Sequence, residues 1–167
     1  DIKKYKAEFA DQWLIATFPA LHLNIDNYPA VRDYLKTFGK RLEQSGESGC
    51  RKKTCNNWFE VQDSIAYYAE FEKEKIVFQE MVQESSFVYD DKNNFCLDTG
   101  RIITGSSLKY LVALMNSSLF FYSIKSFYGG GSLGDKGVRM KHTFFENFPV
   151  PQISKEQQKP FERLVDY

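Results

Sequence analysis

A chain of 167 residues with 43% hydrophobic and 16% aromatic content has enough apolar material for one sizeable core, or at most two small ones, which excludes a disordered chain. It contains no apolar run of about 18 residues, the length a membrane-spanning helix needs, and no signal-peptide pattern opens it; its three cysteines form no secreted disulfide framework, and that odd count fits a reducing cytoplasm. The 22 Lys and Arg cancel the 22 Asp and Glu, so any attraction for a polyanion must come from local charge.

In chain order, Gln12–Thr17 is a short apolar run of strand formers stopped by Pro19, and it reads as the opening strand of a sheet. His22, between Leu21 and Leu23, reads as a packed histidine with no nucleophile to serve. Pro29 suits a first helical turn, and Val31, Tyr34, Leu35, Phe38 and Leu42 repeat at helical spacing until Ser45-Gly46, with Gly39 weakening that helix without ending it. Residues 36–53 carry a local excess of positive charge that includes Arg51 and Lys52, and this cluster is equally a phosphate clamp or a solvated loop. Trp58–Val61 and Lys75–Glu80 predict strands with a short helix over Ser64–Phe71 between them, and Phe87–Tyr89, Phe95–Leu97 and Arg101–Thr104 predict three more, with a polar turn at Asp90–Asn94. Leu108, Leu111, Val112, Met115, Leu119 and Tyr122 predict one core-facing helix over 106–122, capped by Ser106 or Ser107. A last helix starts at a Ser154/Gln157 capping box and carries Phe161, Leu164 and Val165; the native chain is expected to continue past it. The alternation of types predicts an α/β or α+β fold: a mixed, mostly short-stranded sheet flanked by helices, in a single domain over 1–167.

Few catalytic arrangements survive inspection. Asp90-Asp91-Lys92 matches half of a magnesium nuclease site, but it lies within Asp-Asp-Lys-Asn-Asn, a composition that demands a turn. The Gly129–Gly134 stretch lacks the Gly-Lys-Ser/Thr of a phosphate-binding loop, and neither an S-adenosylmethionine turn nor an adenine-holding Asn/Asp-Pro-Pro-aromatic loop occurs. Cys50 and Cys55 could pair or share zinc, yet a closed tetrahedral site needs four ligands, and only Cys96, His22 and His142 remain, all distant in sequence; no metal is expected. What stands out instead is the glycine-rich loop that follows the 106–122 helix, where flexible backbone meets Lys125, Tyr128, Lys136, Arg139 and Lys141. Such a loop suits a polyanion such as a nucleic acid, with Arg139 and Lys141 alternating on one side of a short strand as base readers, Lys125, Lys136 and Lys52 on phosphates, Gly130 among the DNA-binding positions, and Tyr128 either stacking or acting as a core lid.

The order of these pieces carries a resemblance. Lys75-Ile76-Val77-Phe78, Phe87 before Asp90-Asp91, the Leu111–Ser118 helix, Phe148-Pro149-Val150-Pro151 and Glu156-Gln157-Gln158 together resemble the TaqI-like C-terminal specificity domain, the target-recognition domain of type IIG restriction-modification enzymes. Ile25–Val31, Arg41-Leu42 and Trp58-Phe59 are similar to that family's earlier landmarks, residues 43–57 look like a variable insertion, and 152–167 like an exit helix. The resemblance implies a fragment without catalytic residues or cofactor of its own, binding double-stranded DNA for upstream domains of the same chain. Those domains would be an adenine-specific methyltransferase using S-adenosylmethionine and a magnesium-dependent endonuclease. The recognition half of a type I specificity subunit, or a protein-interaction module that does not bind nucleic acid, are the alternatives.

Overall fold

The computed structural model describes residues 2–97, 99–128, 132–133 and 137–166. They form two compact units, one of residues 12–69 and one of residues 1–11 with 70–167. The architecture is α+β, and every strand ladder among the described residues is antiparallel.

In the larger unit a small hairpin, β1 (Ile2–Lys3) and β2 (Lys6–Ala7), precedes the main strand β3 (Lys75–Gln79). A two-residue strand β4 (Met81–Val82), β5 (Phe87–Asp90) and β6 (Gly100–Thr104) follow. β3 lies between β5 and β6, with Ile76 opposite Tyr89 and Ile103, and Val77 opposite Val88 and Ile102. Alternate side chains leave a strand on opposite faces, so Ile76 and Phe78 enter the core while Lys75 and Val77 turn the other way; all four are buried. A second sheet pairs β4 with β8 (Gly137–Arg139), and β8 with β7 (Ser132–Leu133).

The expected single helix over 106–122 is two. α2 (Leu108–Met115) ends at Asn116, and Ser117 starts α3 (Ser118–Ser123) by accepting a hydrogen bond from the Phe120 N–H; a π-helical turn, Ile124–Tyr128, follows. Neither expected serine caps α2 through its side chain, since Ser107 sits at φ 55° without such a bond. The break rotates the apolar face. Leu108, Val112 and Met115 stay in the core, but Phe120 and Ile124 take over from Leu119 and Tyr122, which are exposed. Asn116 explains the break: its buried side chain donates to the Phe87 carbonyl at 2.7 Å and accepts from the Phe87 N–H at 2.9 Å, which ties the end of α2 to β5. Asn116→Ala should therefore leave a buried donor and acceptor unsatisfied and cost about 2–4 kcal/mol, read from the urea midpoint at unchanged m-value.

A short helix α4 (His142–Phe145) adds Phe145 to the core, and α5 (Lys155–Val165) begins at the expected Ser154/Gln157 capping box. α5 packs on α2 through Tyr110 against Phe161, with ring centres 5.4 Å apart, and Lys109 reaches Asp166 at 2.6 Å. Leu164 remains exposed.

In the smaller unit, 3-10 turns at Pro19–Leu21 and Ile25–Asn27 lead to α1 (Pro29–Lys36) and a further 3-10 turn at Gly39–Leu42. The helix stops six residues before the expected Leu42, because Gly39 takes a left-handed φ of 51° that no α-helix accommodates. Residues 12–18 and 58–61 form no strand. In the latter, Glu60 closes a turn, its carboxylate accepting from the Asn57 N–H at 2.7 Å and its own N–H donating to the Asn57 carbonyl at 3.0 Å. His22 is exposed at φ 48°, at the end of the first 3-10 turn, instead of packed. Residues 95–97 of the larger unit are likewise not a strand, and Phe95 instead stacks on Phe71 at 4.8 Å. The helix expected over 64–71 is a 3-10 turn at Tyr68–Glu72.

Candidate nucleic-acid interface

Glu80 is the hinge of the site. It stands between β3 and β4, where the chain leaves one sheet and enters the other, and its backbone serves both: its N–H donates to the Thr99 carbonyl at 2.9 Å and its carbonyl accepts from the Met140 N–H at 2.6 Å. Its side chain is buried, yet each oxygen takes a guanidinium, Oε1 from Arg139 Nε at 2.6 Å and Oε2 from Arg101 Nη2. Arg101 comes from β6 and Arg139 from β8, and their side chains are 44% and 46% exposed. Arg139, with Arg101 in support, holds the Glu80 carboxyl below the usual carboxylate range against the opposing effect of burial. A depressed folded pKa stabilises the fold above the unfolded carboxylate value of about 4.3, and that stabilisation is lost as pH falls through the folded value.

The remaining candidates divide. Lys141 lies two residues beyond the end of β8, preceding α4, so it does not alternate with Arg139 on one strand as expected; it is partly buried. Lys125 is exposed on the π-helical turn. Tyr128, at the end of that turn, packs edge-on to Phe148 at 6.0 Å and sits against the core, the lid arrangement. Gly130 and Lys136 lie outside the described residues. Arg51 and Lys52 belong to the other unit. Arg51 donates from Nη1 to the Glu60 carbonyl at 2.9 Å, which Gln44 Nε2 also reaches at 2.8 Å, while its backbone N–H binds the Glu43 carbonyl; Arg51 thus holds the 43–60 loop together. Lys52 is exposed on that loop. Sequence reasoning missed Arg101 and Glu80. Arg101 reads as an ordinary strand residue, and nothing in the sequence says that Glu80 falls at the junction of two sheets.

Asp90 of the acidic triplet is part of the scaffold. Its carboxylate meets Lys75 Nζ at 2.6 Å and accepts from the Lys92 and Asn94 N–H groups and the Asn94 side chain, which builds the turn that the composition demands. Among the described residues no three His, Cys, Asp or Glu side chains gather where a metal could be held. Cys50, Cys55 and Cys96 are free thiols, and Cys50 Sγ lies 3.8 Å from Glu43 Oε2. No helix among the described residues is long and apolar enough to cross a membrane.

The sequence model of the TaqI-like C-terminal specificity domain matches residues 1–150. No curated protein matches the chain.

Proposed function

The chain belongs to the TaqI-like C-terminal specificity domain family, that of specificity domains of restriction-modification enzymes, and on that premise we propose that it reads a particular duplex DNA sequence on behalf of a type IIG enzyme. Its whole length, 1–167, serves as the recognition domain, with 43–57 variable among relatives and 152–167 leading out of it. It fixes register through phosphates and reads base edges, so that upstream domains of the same chain can methylate an adenine and cut the DNA. The chemistry, S-adenosylmethionine and magnesium belong to those domains, in the cytoplasm.

The observation that supports this reading is Arg139, which extends half-exposed from the strand that closes the glycine-rich basic loop, with its Nε edge held by Glu80. A guanidinium fixed along one edge keeps both terminal nitrogens for a partner, the fork that fits guanine O6 and N7. Lys125, Lys141, Lys136 and Lys52 are the phosphate and secondary contacts in this reading.

Mobility-shift titration of the 167-residue chain on long duplex DNA at low and high salt tests it. Binding through Z phosphates should weaken with a log–log salt slope of about −0.9Z. On a site selected from randomised duplexes, Arg139→Ala should lose about 1–3 kcal/mol and relax one base pair, whereas Lys136→Ala should weaken all duplexes alike and lower the slope by about one. Binding absent at every salt concentration would instead favour a protein-interaction module.

A further inference from the structure

We infer that the smaller unit makes a DNA contact of its own, in which Trp58 and the cations of residues 36–53 hold the phosphodiester backbone. The inference rests on the reading of this chain as a DNA specificity domain, and the surface shares no residue with the Arg139 site. Six cations, Lys36, Lys40, Arg41, Arg51, Lys52 and Lys53, stand in this stretch against two carboxylates, Glu43 and Glu47. Arg32, one turn of α1 earlier, is paired with both Asp26 and Asp33 at 3.0 Å. Among the described residues none of the six is in an ion pair. Arg51 serves the Glu60 carbonyl and Arg41 lies 5.2 Å from the centre of the Phe38 ring, neither of which neutralises its charge, while Lys36, Lys40, Lys52 and Lys53 are exposed. The fold gathers the two ends of the run. The Arg51 N–H donates to the Glu43 carbonyl at 2.8 Å and the Gly46 N–H to the Arg51 carbonyl at 3.0 Å, which brings Arg51 back to the end of the 3-10 turn that carries Lys40 and Arg41. Charge concentrated in this way attracts a polyanion and carries no sequence preference of its own.

Beside these cations the surface is concave. Leu35, Lys36, Gly39, Leu42, Glu43 and Trp58 line a recess of about 250 Å³. Gly39 leaves it open, since no atom lies within 4 Å of the place a Cβ would take. Trp58 is 39% exposed and fixed in place, edge-on to the buried Phe59 at 5.8 Å and on the turn that Glu60 closes through Asn57. The recess is smaller than the roughly 300–1,000 Å³ of small-molecule sites, so it suits one ring of a larger ligand. Deoxyribose fits the combination: its carbon face meets Leu35, Leu42 and the indole, and the phosphates that flank it meet the cations. Glu43 repels a phosphate, so Lys36 marks the side of the recess on which the charged group sits. An indole already held in one orientation gives up little freedom on contact.

The chain has two tryptophans, so Trp13→Phe leaves Trp58 as the sole fluorescent reporter. On saturation with long duplex DNA at low salt, acrylamide should quench Trp58 less than in the free chain, and the difference should vanish as salt dissociates the complex. In mobility shifts, the double variant Lys36→Ala/Lys40→Ala should weaken selected and scrambled duplexes by the same factor, roughly 8-fold for each lysine at about 0.1 M salt, and lower the salt slope by about two. The selected-to-scrambled ratio, which Arg139→Ala is expected to reduce, should stay as in wild type. Wild-type chain that binds duplex in a salt-dependent way, but whose slope survives the double substitution or whose Trp58 is quenched equally in the free and bound states, overturns this inference and leaves the DNA reading standing. Wild-type chain with no salt-dependent binding overturns both.

Discussion

Lys75→Met should destabilise the larger unit by about 3–5 kcal/mol, because it leaves the buried Asp90 carboxylate without its counter-charge. Lys75 is fully buried and Asp90 only 3% exposed; besides the 2.6 Å ion pair, Lys75 Nζ donates to the Phe71 carbonyl at 2.7 Å. Taken singly, burial acts most strongly on Asp90 and opposes its ionisation, yet Lys75 together with the Asn94 and Lys92 donors brings its pKa below the usual value. The sign of the pH dependence follows. A depressed folded pKa gives wild type a stabilisation that is present above the unfolded value of about 3.9 and lost as pH falls through the folded value. Without Lys75 the folded pKa rises, so the variant should lose less stability than wild type on acidification from about pH 6 to about pH 3. Urea melts across that range check both claims, and a variant as stable as wild type at neutral pH would show that the pair contributes nothing. Replacing both partners with apolar residues of similar size should recover most of the loss, since no lone charge then stays buried.

Phe120→Ala is the second large effect, expected at about 3–5 kcal/mol through loss of buried area and creation of a cavity. The ring is 1% exposed and packs edge-on to Phe87, Phe145 and Phe148, with centres 5.6, 6.0 and 4.9 Å away. Each such contact adds about 0.5–1.5 kcal/mol beyond area burial. The neighbouring Leu119, 67% exposed, is the control: Leu119→Ala should stay within about 0.5 kcal/mol. Equal losses at the two positions would mean that α3 is turned the other way.

These neighbours also show what the sequence made legible. Continuous helical spacing from Leu108 to Tyr122 points to Leu119 as core, and the periodicity holds up to Met115. The phase then slips at Asn116-Ser117, where one side chain satisfies a strand and the next caps a new helix. Periodicity cannot register a break produced by a polar residue, Asn116, whose strand partner lies 29 positions away. Strands β3, β5 and β6 were readable because β-branched and aromatic residues concentrate there between turn signals. The apolar runs at 12–17 and 58–61 share that composition, but no ladder partner exists for them among the described residues, and strands are made by pairing. The pairing of Lys75 with Asp90 follows from the antiparallel register of β3 and β5, which the two segments alone do not specify. The same limit governs the candidate site. Arg139 could be nominated because it sits in a basic glycine-rich stretch, while Arg101 and Glu80, 38 and 59 residues before it, are joined to it only by the meeting of two sheets.

Asn116 has one more role, outside the stability of the monomer. β5 is an outermost strand of its sheet, and the Phe87 N–H and carbonyl are on the side away from β3. Open groups of that kind are what a neighbouring polypeptide needs to add itself as an extra strand. The Asn116 amide supplies the donor and the acceptor that such a strand would bring, and the Tyr5 N–H shares the same carbonyl at 3.4 Å. At Phe87, the asparagine that interrupts the helix thus also occupies the hydrogen-bonding groups that an added strand would use.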